Sequence, residues 1–146
     1  MTHDTITKTV FFSVSREVVW SYLTVKDRLA EWFHPAAADL SANEDYALME
    51  SGESGLANKV CWGRVLHWEP HVKLAYSFTV KPLNGAMTTV TWILEDVAGG
   101  TRLTLVHEGL AEAVGASAID LLKALDKGWD EHFGKLRPIM ARPVAA

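Results

Sequence analysis

Apolar residues recur every second position through the middle of the chain and every third or fourth position near its end. Leu74, Tyr76, Phe78 and Val80 alternate with Lys73, Ala75, Ser77 and Thr79, so the even positions point into a core. Val90, Trp92 and Leu94 repeat this against Thr89, Thr91 and Glu95, with Ile93 as the exception. Leu103, Leu105 and His107 then oppose Arg102 and Thr104. Leu122, Leu125, Trp129, Phe133 and Leu136 fall instead on one stripe of a long helix, with Lys123, Lys127, Asp130, Glu131 and Lys135 on its other faces.

Turn and cap residues set the boundaries. Thr5 to Val14 reads as a first strand, after which Ser15 caps a short helix carrying Val19, Trp20 and Leu23. Thr24 with Asp27 has capping-box spacing and opens a second short helix through Leu29 to Phe33, which Pro35 ends. Turns are expected at 43–46 (NEDY), 51–55 (SGESG), Glu69-Pro70-His71, Asn84-Gly85 and Gly99-Gly100. Ser117 with Asp120 caps the long helix, and Pro138 should end or kink it. Such short connections imply sequential antiparallel neighbours. The expected fold is α+β: a curved antiparallel sheet of about six strands wrapped around a long C-terminal helix, with two short helices after the first strand. This helix-grip arrangement leaves a gap between sheet and helix.

Composition narrows the function classes. The chain has 146 residues, 49% of them apolar and 22% charged, which suits one soluble domain with a sizeable core. A net charge of −4 argues against nucleic acid or an anionic membrane as partner. The lone cysteine, Cys61, allows no internal disulfide and fits a reducing compartment. The N-terminus lacks a basic stretch followed by an apolar one, and no segment reaches membrane-span length, so the expected location is the cytoplasm.

Several segments together resemble a known family. They are "VWSYLT" at 19–24, "EWF" at 31–33 with Pro35, "GRVLHWEP" at 63–70 followed by "KLAYSF", "TTVTWILE", "GGTRLTLVHEGL" at 99–110 and "GW" at 128–129. In this order they resemble the START-like (SRPBCC, helix-grip) superfamily, in the branch similar to the C-terminal domain of activators of the heat-shock protein 90 ATPase. The resemblance implies one START-like domain over residues 1–146, a chaperone as candidate partner, and a link to stress response. It departs from the family where Asn43-Glu44-Asp45 replaces a usual Gly-Gly pair, so the local turn must differ. The family pattern also implies that Gly63 and Val65 are structural and that Trp68 is apolar. A regular strand cannot satisfy both, whereas a bulge near Leu66 and His67 would. Trp68 should then face the core and Trp62 an edge, where an exposed ring would favour a homodimer.

The candidate chemistry is sparse. No HxH or CxxC spacing suggests a metal site, and no P-loop or dinucleotide fingerprint calls for a cofactor. Cys61 lacks an evident activating partner and reads as a small buried hydrophobe. His67 reads as a solvated or an edge residue, and His107 as bonding a neighbouring backbone group at the mouth of the gap. No catalytic residue is assigned. The aromatic set is more informative: Trp32, Phe33, Tyr76, Phe78, Trp92 and Trp129, with His107, would surround the gap as a lining for a small hydrophobic or lipid-like molecule. The alternative is that these rings fill it. A dry void of roughly 300 Å³ would cost on the order of 7 kcal/mol, so side chains, water or ligand must occupy it. Non-enzymatic binding is therefore the leading reading. A chaperone-partner module and a cyclase- or aromatase-like enzyme are the alternatives.

Overall fold

The computed structural model describes residues 5–49, 59–80, 86–109 and 118–141, and among these residues six strands and three helices follow one another. In chain order they are β1 (Ile6–Phe12), α1 (Arg16–Thr24), α2 (Lys26–Trp32), β2 (Asp45–Met49), β3 (Lys59–Glu69), β4 (Lys73–Val80), β5 (Thr88–Val97), β6 (Gly100–Glu108) and α3 (Ala118–Ala141). The strands form one antiparallel sheet in the order β1-β6-β5-β4-β3-β2. The expected α+β helix-grip fold is the fold found.

Parity sets the inner face. Leu74, Tyr76, Phe78, Val90, Trp92, Leu94, Leu103 and Leu105 are all buried, and α3 lays Trp129, Phe133, Leu136 and Met140 against them. Lys8 lies on the inward row of β1 between Ile6 and Val10. Its ammonium meets Asp126 at 2.6 Å and Asp130 at 2.9 Å, tying the sheet to α3.

The stretch 61–70 divides at a bulge. Val65 pairs with Tyr76 and His67 with Ala75, so Leu66 is the extra residue. Cys61 and Val65 are buried before it. After it Trp68, opposite Leu74, turns inward and is half-buried edge-on against Trp20 at 5.1 Å. Trp62 lies on the other face, between Ala47 and Thr79. The two rings do not share a face. Trp62 is nevertheless not at an edge, because β2 pairs outside β3, and the homodimer expectation loses that support. Gly63 is structural for a steric reason: a Cβ there would stand 1.9 Å from the Ser77 carbonyl oxygen.

Local signals held where the partner is local and failed where it is distant. Ser15 caps α1, accepting from the Val18 N–H at 3.4 Å. Asn43 supplies the left-handed turn before β2 with φ 60°, a conformation asparagine tolerates. Thr24, in contrast, does not cap α2. It ends α1 and donates to the Trp20 carbonyl, while the first N–H of α2, on Lys26, is received by Asp39 at 2.8 Å. Of the two outcomes expected at Pro138, an end or a kink, the end is not found, since α3 runs to Ala141. Buried Leu136 and Met140 hold the last turn, offsetting the roughly 3 kcal/mol such a proline costs. Ser117, the turn at 51–55 and Asn84-Gly85 lie outside the described residues.

Candidate functional site

Rings from four elements meet between the sheet and α3. Trp32, ending α2, stacks near-parallel on Phe133 at 6.2 Å and on Phe33 at 5.3 Å. Trp129 stands edge-on to Trp92 at 5.5 Å and tilts against Phe33 at 5.3 Å and Phe78 at 6.1 Å. Each such pair contributes about 0.5–1.5 kcal/mol beyond area burial, so the rings fill much of the gap.

The polar atoms behind these rings are paired. The Trp32 indole N–H donates to the Tyr22 carbonyl, and the Trp92 N–H donates to the Tyr76 hydroxyl, both at 2.9 Å. Burial pushes the Tyr76 and Tyr46 hydroxyls above their ordinary range. His107 is fully buried, with the Trp129 N–H donating to Nδ1 at 3.2 Å and the Thr88 hydroxyl 2.8 Å from Nε2. The Thr88 hydroxyl spends its one proton on the Phe78 carbonyl at 2.7 Å, so Nε2–H must donate to Thr88. The chain Trp129 to His107 to Thr88 to Phe78 thus fixes a neutral imidazole, and burial lowers its pKa to about 4. His107 bonds side chains inside the core and does not bond backbone at a mouth. His67 is exposed and pairs with Glu69 at 3.1 Å.

A half-open cavity of about 90 Å³ remains between sheet and helix. Phe33 and His34 line it from the segment after α2, Cys61 from β3, Phe78 from β4, and Leu125, Gly128, Trp129 and His132 from α3. Of the seven residues read from the sequence, Phe33, Phe78 and Trp129 face this space. Trp32, Tyr76, Trp92 and His107 pack around them. Cys61, His34, Leu125, Gly128 and His132 were missed as lining. Gly128 carried the one sequence signal, a glycine in a helix interior.

The cavity is electrically quiet. Burial pushes the Cys61 thiol up to about 12 and keeps it protonated at neutral pH. Burial, then neighbouring His34, lowers His132 to about 4. Lys135 adds to this, and the Trp32 carbonyl acts the other way. Burial and Lys135 lower His34 as well. Among the described residues no group of three or more His, Cys, Asp or Glu could hold a metal ion, and no helix is long and apolar enough to cross a membrane. Two other concavities lie along the seam of α3 with β1. One, about 390 Å³, lies between Thr5–Thr7 and Leu122–Asp126; the other, about 110 Å³, lies beside Phe12 and Met140.

Comparison with known proteins matches residues 13–141 to the family described as Activator of Hsp90 ATPase homolog 1-like protein. No curated protein shows a significant sequence match. Among solved structures, MLL2253 from Mesorhizobium loti is similar with a TM-score of 0.79 at 19% identity, over 97% of this chain and 99% of that one. The Aha1 dimer from Colwellia psychrerythraea gives 0.74 at 16% identity, over 93% and 95% of the two chains. DynU16, of the dynemicin biosynthetic locus, gives 0.72 at 22% identity over 92% of this chain. The match spans under half, 46%, of the DynU16 chain. At these identities the likeness establishes the fold.

Proposed function

The chain belongs to the Activator of Hsp90 ATPase homolog 1-like family, and from that premise we propose that it binds a small hydrophobic or aromatic molecule, without catalysis, between the sheet and α3. Phe33, Phe78 and Trp129 are the proposed contacts, held in place by Trp32, Tyr76, Trp92 and His107. The observation that carries this reading is Gly128. Glycine in a helix interior costs about 1 kcal/mol against alanine, and a Cβ at Gly128 would touch nothing within 4 Å. No close packing calls for the glycine; its effect is to leave space beside Trp129. The protonated Cys61 and the enclosed His107 support binding over turnover, and the place of DynU16 in a biosynthetic locus suits a small-molecule ligand.

The test is native mass spectrometry of the protein purified from cells, with tryptophan quenching by panels of lipids and aromatic metabolites. A retained or titratable ligand is expected, and a chain that binds none of them contradicts the proposal. A second reading, a chaperone partner working in the cytoplasm, draws on the family description. Stimulation of the chaperone's ATPase by the purified chain would support it, and no stimulation would remove it.

A further inference from the structure

Granted the binding site proposed above, the polar atoms of the cavity define the head group of its occupant. His132 Nδ1 lies 3.3 Å from the Trp32 carbonyl oxygen. A carbonyl only accepts, so Nδ1 carries the proton of the neutral ring and Nε2 keeps a lone pair. Among the described residues no hydrogen bond engages that lone pair. His34 stands edge-on to His132 at 5.2 Å, with neither ring nitrogen hydrogen-bonded among the described residues.

Among the described residues the cavity lining has no carboxylate, and its remaining polar side chain is the weakly polar Cys61 thiol. The charged group acting on both imidazoles is Lys135, one turn along α3, which disfavours a proton on either. A carboxylate ligand offers only acceptors to a ring that presents an acceptor. A plain hydrocarbon would strip water from Nε2 and return nothing. An O–H group matches the site.

Size limits the rest of the ligand. A closed apolar cavity of about 150 Å³ holds benzene, so a half-open space of about 90 Å³ suits one ring with its far end toward solvent. We propose that the cavity takes a hydroxylated aromatic ring, a ligand of the phenol class, packed on Phe78 and Trp129 with its O–H donated to Nε2 of His132. Recognition then requires the neutral imidazole. Affinity should stay level as pH falls from about 8 to about 5.5 and drop only where His132 gains its proton, near 4.

Calorimetric titration with phenol, benzene and benzoate at neutral pH, on the wild-type chain and His132→Phe, tests this. Phenol should bind the wild type roughly three- to tenfold tighter than benzene, the span of one net hydrogen bond. The preference should vanish in His132→Phe, whose benzene affinity reports that the cavity is intact. In the wild type, phenol should also shift the His132 Nε2 resonance in nitrogen NMR, a readout independent of the variant's folding. Equal binding of phenol and benzene, a preference kept in the variant, benzoate as the tightest probe, or an unmoved Nε2 resonance each overturns the phenol assignment and leaves the aromatic cavity standing. No binding by any probe overturns the cavity reading as well.

Discussion

Two glycines on α3 make a matched pair for testing what the cavity costs. Gly128 lines it and Gly134 is exposed. Neither has a positive φ, and a Cβ at either meets nothing within 4 Å. Alanine at each position should therefore stabilise the chain by about 1 kcal/mol, which raises the melting temperature by roughly 2–4 °C at this size. The two positions part company when the side chain grows. At about 24 cal/mol per Å³, an empty space of 90 Å³ costs about 2 kcal/mol at most, since one side is open. Gly128→Leu fills this space and should be at least as stable as wild type, while weakening benzene by roughly tenfold or more, a loss of about 1.4 kcal/mol. Gly134→Leu should leave benzene affinity unchanged. The assays are thermal melting by circular dichroism and calorimetric titration. Destabilisation by Gly128→Ala, or undiminished benzene binding by Gly128→Leu, refutes the argument.

Three further outcomes follow from buried or crowded groups. Burial holds His107 near pKa 4 against an ordinary 6.5, so below pH 6.5 the unfolded chain takes the proton first; stability falls between about 6.5 and 4, by on the order of 3 kcal/mol. His107→Leu should lessen that fall in urea titrations. It should cost about 1–3 kcal/mol at neutral pH by orphaning the Trp129 N–H; a wild-type midpoint flat across the window would sink the idea. Gly63→Ala should lose about 3 kcal/mol or more, because the Ser77 backbone must move, and an unchanged melting temperature would contradict it. Lys8→Met should cost only about 0.5–1 kcal/mol, since Asp126 and Asp130 are more than half exposed. High salt should destabilise the wild type and spare this variant; equal salt responses would count against the clamp.

The fold was legible where one residue's neighbours along the chain decide its position. Strand parity placed Leu74, Tyr76, Phe78, Val90, Trp92 and Leu103 correctly, and its conflict with the positions implied by the family resemblance placed a bulge near Leu66 and His67, where the structure has one at Leu66. It was illegible where a distant residue decides. Asp39 caps α2 across a loop, and only the packing of Leu136 and Met140 carries α3 past Pro138. The site divides the same way. Periodicity named rings that point inward, yet it could not separate those facing the cavity from those behind, because that depends on how α3 sits over the sheet. Cys61, His34 and His132 come from β3, the segment after α2 and α3, and have no common spacing. His107 was recognisable as inward-facing, while its partners Thr88 and Trp129 lie 19 and 22 residues away.

The central claim, that the space beside Gly128 receives an aromatic molecule, is most directly tested by a crystal structure of the protein soaked in benzene. Ring density in contact with Phe33, Phe78 and Trp129 is the predicted result. A cavity left empty, or density only in the open groove between Thr5–Thr7 and Leu122, would contradict it.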